Sequence, residues 1–311
     1  YYLWAQRNPE AALAELKKAE AKNADLTEIM TARGYIFELQ GRWDEAIEAF
    51  EDAFELSPRD ASLPTELAFA TWIRRRYETA TEYANRAIEL APNASWPYLA
   101  KTFVLWVWNG ALDESRAALQ NVNPAHEWSP WTWFWQESYQ GNYQQAIERL
   151  KSSPGAWIRI KIRGGPKILL TAFAYDFMNK PQLAHACYGS ARMVLEAEVQ
   201  KWPQDPRYHS SLGIAYAALG NKEKAITEGK KALSLLPVSR DAFYGIPYVG
   251  DMAFIYTLIG DYPAACDQLE YLLSIPSWYS TTWLKIDPRW NRLRHHRRFQ
   301  ELLEKYAEGN P

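Results

Sequence analysis

The residues with the clearest chemistry in this chain are tryptophans. Eight of the fifteen lie between Trp96 and Trp157. Three of these, Trp128, Trp131 and Trp135, recur at the spacing that brings side chains onto one face of an α-helix. An indole ring offers a large apolar area together with one N–H donor. The spacing therefore predicts an apolar binding face with a few polar tips.

Side chains that could perform covalent or metal chemistry show no comparable arrangement. The five histidines include no pair at metal-ligand spacing, and the adjacent His295 and His296 would point about 100° apart on a helix. The chain has no nucleophile elbow, no glycine-rich phosphate loop and no HRD or DFG triplet. We therefore expect no catalytic residue, no bound metal and no cofactor, and we predict that the chain is not an enzyme.

The cysteines and the charge balance indicate the cellular compartment and the kinds of partner to expect. Cys187 and Cys266 are far apart, so we expect free thiols, as is typical of a reducing, cytoplasmic compartment. The 35 Lys and Arg residues nearly balance the 37 Asp and Glu residues, which argues against wholesale binding to nucleic acid or to an anionic membrane. No run of 18 apolar residues is present, so no membrane-spanning helix is expected.

Two local basic clusters stand out from this balance. The side chains of the first cluster could either contact an acidic partner or phosphate groups, or simply form a solvated surface. It comprises Arg159, Lys161, Arg163 and Lys167. For the second, in the C-terminal tail, we favour a solvated face. It comprises Arg289, Arg292, Arg294, Arg297 and Arg298 with His295 and His296.

A repeat organises the elements that position these residues. The segment WDEAIEAFEDAFELSP begins at Trp43, and YETATEYANRAIELAP begins 34 residues later at Tyr77. Each copy contains small residues that allow close helix packing and a proline that ends the second helix. A fixed period near 34 with this pattern is typical of tetratricopeptide repeats, and the chain resembles proteins of that kind over nearly its whole length.

The resemblance implies an all-α fold, a right-handed superhelix of about seven helix-turn-helix repeats with terminal helices. We expect a single domain over 1–311. Its parts are a truncated first repeat (1–26), repeats one to four (27–153), an irregular loop (154–165), repeats five to seven (166–276) and a C-terminal cap (277–311).

Two stretches depart from the regular pattern. Tyr1–Trp4 would be the tail of a helix that is mostly missing, so we favour a fragment of a longer protein. The segment IRIKIR, within 152–166, alternates apolar and basic residues, a pattern typical of a β-strand. Because glycine and proline flank this segment, we favour an extended loop over a paired strand.

The tail carries a narrower resemblance. It is similar to the end of tetratricopeptide regions in bacterial signalling proteins, where such regions follow a serine/threonine kinase, a nucleotide cyclase or a winged-helix domain. The matching residues are Trp283, Leu284, Ile286, Asp287, Pro288, Trp290, Leu293, Arg294, Arg298, Phe299, Leu302 and Leu303. This resemblance implies a regulatory or scaffold role. None of those effector domains is recognisable in this chain.

In tetratricopeptide proteins the first helix of each repeat lines the concave wall, and the resemblance places ten aromatic residues there. They are Tyr35, Phe69, Trp72, Phe103, Trp106, Trp128, Trp131, Trp135, Phe173 and Phe254. Trp133 should instead lie in the core. The leading hypothesis is a groove that receives a partner's helix or extended peptide.

Three alternatives remain open. The tryptophans of repeats three and four could enclose an apolar small molecule, the rings could simply pack on one another, or the array could be an assembly surface that self-associates through its N-terminal edge. Related modules that clamp acidic chaperone tails use basic and amide residues at set positions. Here those positions carry Glu28, Thr31 and Ala32, so a chaperone-tail partner is not expected.

Overall fold

The structure is a computed structural model that describes residues 8–22, 24–161 and 163–307, with the side chain of Arg163 left out. Tyr1–Trp4, the expected tail of a missing helix, lie outside the described residues. Within the described ranges the regular secondary structure is helical except for two short strands.

The helices of the first half, in chain order, are α1 (Pro9–Glu20), α2 (Leu26–Gln40), α3 (Trp43–Leu56), α4 (Ser62–Ile73), α5 (Tyr77–Leu90), α6 (Ser95–Trp108), α7 (Leu112–Leu119), α8 (Ser129–Tyr139) and α9 (Tyr143–Ser152). Two strands follow, β1 (Trp157–Ile160) and β2 (Arg163–Pro166). The remaining helices are α10 (Lys167–Phe177), α11 (Pro181–Lys201), α12 (Pro206–Ala218), α13 (Lys222–Leu235), α14 (Ile246–Ile259), α15 (Tyr262–Ser274), α16 (Thr281–Ile286) and α17 (Arg297–Lys305).

Consecutive helices from α2 to α15 pack as seven pairs, beginning with α2 on α3 and ending with α14 on α15. The predicted all-α class with about seven helix-turn-helix repeats is therefore confirmed. The two-residue connection after α2 and the three-residue connection after α8 each contain a glycine with positive φ, for example Gly41 at 73°. A side chain is strained in this conformation, yet Arg75 adopts it at the equivalent place in the next repeat, with φ 58°.

The helices divide into two compact bodies, and the expected single domain over 1–311 stays a prediction. The N-terminal body comprises Tyr1–Asn123, Val238–Gly245 and Pro276–Trp278. The C-terminal body comprises Pro124–Pro237, Ile246–Ile275 and Tyr279–Pro311. The chain thus returns twice to its N-terminal body from the second half, so neither body is one uninterrupted segment.

Small residues allow the close helix packing in the N-terminal body. Gly34 on α2 faces the ring of Phe50 on α3, and Phe50 is completely buried. A Cβ atom at position 34 would lie 2.6 Å from Phe50 Cζ, so no larger residue fits without movement. Tyr35 packs edge-on against the same ring, with the centroids 5.4 Å apart.

The C-terminal body contains an antiparallel hairpin in which Trp157 pairs with Pro166 and Ile160 with Arg163. The prediction of an extended loop over 154–165 was therefore wrong. The alternation in the sequence buries Ile158 and Ile160 on one side of β1.

The hairpin is stabilised by its contact with α12. A Cβ atom at Gly164 would lie 3.2 Å from Tyr208 Cε1, and one at Gly165 would lie 3.2 Å from Ser211 Oγ. Ser211 also donates a hydrogen bond to the carbonyl of Gly164 at 3.1 Å. A two-stranded hairpin is marginal by itself, so the glycines that favoured a loop are the residues that let this strand lie against a helix.

The Gly34 packing gives a first prediction. Replacing Gly34 by Ala places a methyl group against the Phe50 ring, and overpacking of this kind lowers the free energy of unfolding by about 1–3 kcal/mol. Urea denaturation followed by circular dichroism measures the change. Gly189 on α11 is the matched control, because no atom lies within 4 Å of a Cβ there. Gly189→Ala should leave stability unchanged or raise it by up to about 1 kcal/mol, and equal losses in both variants would contradict the packing argument.

Candidate functional site

The tryptophan stripe predicted on α8 forms a continuous series of ring contacts in the C-terminal body. Trp128 and Trp131 meet edge to face with centroids 5.8 Å apart, and Trp131 and Trp135 do so at 6.2 Å. Trp128 and Trp135 are 7% and 3% exposed, whereas Trp131 is partly exposed. Only the middle ring of the stripe therefore offers appreciable surface to a partner.

Trp135 also contacts rings from other helices. Its ring lies 6.3 Å from Phe173 on α10, and Phe173 lies 5.5 Å from Phe254 on α14. Phe173 and Phe254 are 5% and 2% exposed. These three predicted site residues therefore form one buried aromatic cluster beside Trp131.

A buried arginine from the C-terminal cap completes this cluster. The guanidinium of Arg289 lies 4.7 Å above the Trp135 ring and 5.5 Å from both the Trp283 and the Trp290 rings. Asp287 accepts hydrogen bonds from its Nε at 2.9 Å and its Nη2 at 2.5 Å. Both bonds go to one carboxylate oxygen, Oδ2, and these charge-assisted bonds together with the cation–π contacts make a buried guanidinium tolerable.

The expectation of a solvated tail is thus wrong for Arg289, which is 6% exposed, although the side chain of Arg297 is 92% exposed. The physical reason is the short turn at Pro288–Trp290, where Asp287 also accepts from the backbone N–H of Arg289. Burial alone would lower the pKa of Arg289, but the Asp287 charge holds that pKa above its ordinary value.

A cavity of about 40 Å³ lies against this cluster. Trp131, Trp135, Phe173 and Phe254 form its aromatic side, and the hairpin and α10 form much of the rest. Its polar lining residues are Arg289, Asp251 and Ser211. Because Trp131 is the partly exposed member of the lining and Arg289 is buried, the cavity has an indole at its mouth and a guanidinium inside.

Two ionisable side chains, Arg289 and Asp251, line the cavity. Arg289 on the C-terminal cap donates its Nε, Nη2 and backbone N–H to Asp287. Asp251 on α14 is 2% exposed and accepts a hydrogen bond from Ser210 Oγ. A cationic and an anionic side chain therefore line one aromatic-walled space.

The other five predicted aromatic residues lie in the N-terminal body. Tyr35 and Phe69 are partly exposed, whereas Trp72, Phe103 and Trp106 are buried. Trp72 stacks on Phe103 at 6.0 Å, and Phe103 contacts Trp106 at 5.5 Å. These rings pack on one another, and their role in binding a partner stays a prediction.

An acidic group adjoins Tyr35 in the same body. The Tyr35 hydroxyl donates to Glu66 at 2.9 Å, and burial followed by the charge of Glu66 raises the pKa of Tyr35. Burial, then Glu66 and Asp241, raises the pKa of the Glu38 carboxyl above its ordinary value. Residue type and helical spacing alone did not reveal this grouping, because Asp241 comes from a distant part of the sequence.

The first basic cluster is divided by the structure. Lys167 is 7% exposed, and its ammonium donates to the carbonyls of Leu150, Ser153 and Pro154 at 2.8–3.2 Å. Burial lowers the pKa of Lys167. This lysine therefore ties the start of α10 to the end of α9 and the residues that follow it.

The rest of that cluster is more accessible. Arg159 is exposed and lies 4.6 Å above the ring of Trp157, and Lys161 is exposed too. The side chain of Arg163 lies outside the described part of the chain. Contact of these residues with an acidic partner stays a prediction.

Two polar cavity residues, Asp251 and Ser211, were not identified from the sequence, and a third, Arg289, was expected on a solvated face. Asp251 and Ser211 carry no local signal, because a single Asp or Ser on a helix is usually solvated. Arg289 lies in the Asp-Pro-Arg-Trp segment, and this segment is the sequence feature that could have indicated a turn that buries the arginine. Trp133, expected in the core, is partly exposed with Arg149 stacked 4.0 Å above its ring, because the buried face of α8 there carries Phe134.

Within the described ranges, no group of three or more His, Cys, Asp or Glu residues is placed to hold a metal ion. In the same part of the chain, no helix has both the length and the apolar character needed to cross a membrane. Cys187 and Cys266 are free, as expected.

Comparison with known proteins was informative at the level of the repeat. The family model described as "Tetratricopeptide repeat" matches residues 1–61, 40–95 and 181–239. The chain contains tetratricopeptide repeats. A comparison with curated proteins gave no match.

Solved structures with the same kind of fold were also found. A chain of the APC/C hetero-tetramer Cut9–Hcn1 aligns with a TM-score of 0.52 and 13% identity over 99% of this chain. This chain spans 60% of that relative's length. MamA aligns over 68% of this chain and 91% of its own, with 18% identity and a TM-score of 0.29.

PilW, a widely conserved type IV pilus biogenesis factor, aligns over 90% of this chain and 99% of its own, with 14% identity and a TM-score of 0.35. At these identities the Cut9–Hcn1 likeness shows the fold alone. Tetratricopeptide domains in general bind protein partners.

The buried ion pair gives a second prediction. Asp287→Asn keeps the shape of the side chain but leaves the Arg289 charge buried without its counter-ion, and breaking such a pair costs about 3–5 kcal/mol. Chemical denaturation should show this loss. Arg297→Gln removes an exposed pair with Glu301 as the control and should leave stability unchanged within error. A fully stable Asp287→Asn protein would contradict the structural role of the pair.

Proposed function

We propose that this chain is a non-catalytic protein-interaction module whose C-terminal body binds a peptide segment of a partner. The observation that carries the proposal is the partly exposed Trp131 at the mouth of a cavity that holds Arg289 and Asp251. Tryptophan and arginine are the residues most enriched where binding energy concentrates at protein interfaces. A helix or extended peptide would lie across Trp131 and insert one side chain into the cavity.

This binding surface is smaller than the predicted groove, which would be lined by all ten aromatic residues. Seven of them are less than 9% exposed and contact other rings: Trp72, Phe103, Trp106, Trp128, Trp135, Phe173 and Phe254. A buried ring supports the shape of a surface without touching the partner. We therefore assign the main contact to Trp131 and treat its buried neighbours as supports.

A second candidate is a small-molecule sensor, which a local, half-open cavity favours over a groove that extends along several repeats. Its size limits this candidate. A volume of about 40 Å³ corresponds to about three water molecules, far below the pockets of about 300–1,000 Å³ that hold drug-sized ligands. A flat apolar molecule does not fit, whereas one side chain of a peptide does, so the peptide is the leading proposal.

We also propose that the chain is the regulatory part of a cytoplasmic bacterial signalling protein. The tail motif supports this, since Asp287, Pro288 and Trp290 build the turn that buries Arg289. The reading frame upstream of Tyr1 tests the proposal. We expect it to encode a kinase, cyclase or winged-helix domain, and a start codon immediately before Tyr1 would contradict an attached N-terminal effector.

Selection from a random peptide library on the purified chain tests peptide binding. We expect peptides that bind the wild type and lose at least about tenfold in affinity on Trp131→Ala, because an interface tryptophan is worth about 2 kcal/mol or more. Isothermal titration calorimetry measures both affinities. Circular dichroism checks that the variant is folded.

Trp202→Ala is the matched control, because Trp202 is a 52% exposed tryptophan of the same body that does not line the cavity. It should leave the affinity of the selected peptides unchanged. Equal losses in the two variants, or no selectable peptide, would contradict the assignment of the binding surface to Trp131.

A further inference from the structure

We infer that His209 is a pH-sensitive link in the C-terminal body. Its imidazole joins α12 to α13 and to the connection between α11 and α12, and both joints are complete only when both ring nitrogens carry a proton. The inference goes beyond the proposed peptide binding, because it concerns a residue that does not line the cavity. It describes a device within the fold that responds to pH.

The imidazole of His209 lies between two oxygen atoms of other elements. His209 belongs to the first turn of α12 and is 5% exposed. Its Nδ1 lies 2.5 Å from Oε2 of Glu228 on α13, and its Nε2 lies 3.0 Å from the carbonyl oxygen of Pro203. Each ring nitrogen therefore faces an oxygen atom.

The chemistry of the ring decides how many of these contacts are hydrogen bonds. A neutral imidazole has one N–H donor and one lone pair, whereas an imidazolium has two N–H donors. The Pro203 carbonyl and the Glu228 carboxylate can only accept. In the neutral ring one of the two oxygens meets a lone pair, and a buried acceptor without a donor is costly. Protonation gives both oxygens a donor, so it completes the link.

The electrostatic surroundings of His209 favour the protonated ring. Burial alone would lower the pKa of His209, but the hydrogen bonds to Glu228 and Pro203 and the charge of Glu228 hold that pKa above its ordinary value. Lys231, also on α13, acts in the opposite direction. Other ionisable groups on the elements around this part of α12 have partners of their own: Asp205 pairs with Arg207, Glu196 with Arg192, Glu198 with Arg159, and Asp251 accepts from Ser210.

The start of α12 is also held on two other sides. Ser210 donates to Asp251 on α14, and Ser211 donates to the carbonyl of Gly164 in the hairpin. Three consecutive residues therefore bond to three different elements. Loss of the proton from His209 weakens one of these attachments and leaves the other two, so we expect a looser and less stable α12 rather than an unfolded body.

The direction of the pH dependence follows from the raised pKa. A group whose pKa is higher in the folded than in the unfolded chain binds its proton more tightly in the folded chain. Its contribution to stability is fully present below the unfolded pKa and is lost as the pH rises through the folded pKa. His209 should therefore stabilise the chain in mildly acidic solution and lose this effect in mildly alkaline solution.

A titration followed by NMR tests the inference on the unaltered chain. The imidazole Cε1–H signal of His209, assigned through bonds from its backbone, is followed from about pH 5 to about pH 9. We expect a pKa above the ordinary value of a histidine. A pKa at or below that value would overturn the inference.

The Glu228→Gln variant tests the partner on α13. It keeps the shape of the side chain and removes its charge, so the pKa of His209 should fall below that of the wild type. Glu223→Gln is the matched control, because Glu223 is an exposed residue of the same helix, and it should leave the pKa of His209 unchanged. Equal changes in the two variants would contradict a specific link to Glu228.

The pH dependence of stability separates the link from simple packing. His209→Gln cannot change its charge, so in urea denaturation the wild type should exceed it most near about pH 6 and less as the pH rises. The folding equilibrium constant of the wild type relative to this variant should fall about tenfold for every pH unit by which NMR finds the pKa raised. His185→Gln, at an exposed histidine of α11, should show no pH-dependent difference from the wild type.

A stability difference between the wild type and His209→Gln that is the same at every pH would show that His209 acts through packing alone, and it would overturn the inference. If His209→Gln does not fold, the titration of the wild type and the pKa of His209 in Glu228→Gln decide the question. An unchanged pKa in Glu228→Gln would then overturn the link.

Discussion

The C-terminal body depends on a buried charge that is satisfied from two directions. The carboxylate of Asp287 holds one edge of the Arg289 guanidinium, and the rings of Trp135, Trp283 and Trp290 surround its plane. Asp287, Trp283 and Trp290 belong to the cap, as Arg289 does, and Trp135 on α8 is the ring that the cap contacts through this guanidinium. A buried guanidinium must find partners for its charge, so the contact with Trp135 helps to fix the place of the cap on α8. Arg289 also lines the cavity beside Trp131, so a group that stabilises the fold also places a polar side chain there.

The abundance of tryptophan has mainly a structural cause in this protein. Rings at one-turn spacing on the first helix of a repeat do line up, but most then pack against rings of the neighbouring repeat and lose their exposure, as Trp72 does against Phe103. A large aromatic ring buries more apolar surface when it packs on other rings than when it stays exposed to solvent. Binding is therefore best sought at the one ring of the α8 stripe that stays partly exposed.

The hairpin between α9 and α10 shows where local sequence rules fall short. Glycine and proline around 157–166 weaken a strand in isolation, and the alternation of apolar residues strengthens it, so the two rules disagree. The close approach of Gly164 and Gly165 to α12 resolves the conflict, because a strand without side chains can pack where a normal strand would collide. The sequence suggested Lys167 as a possible contact for an acidic partner. In the structure its ammonium is buried and donates to the carbonyls of Ser153 and Pro154.

The sequence alone determined the repeat, its period and the pairing of helices, because small residues, prolines and apolar positions act within about 34 residues of one another. It also placed Trp128, Trp131 and Trp135 on one helical face. Only the tertiary structure decided which of these rings is exposed and which polar groups stand beside it. Arg289 and Asp251 come from the cap and from α14, far from α8 in sequence. A local sequence pattern cannot predict that these residues lie close together, because burial and charge pairing depend on how distant elements pack.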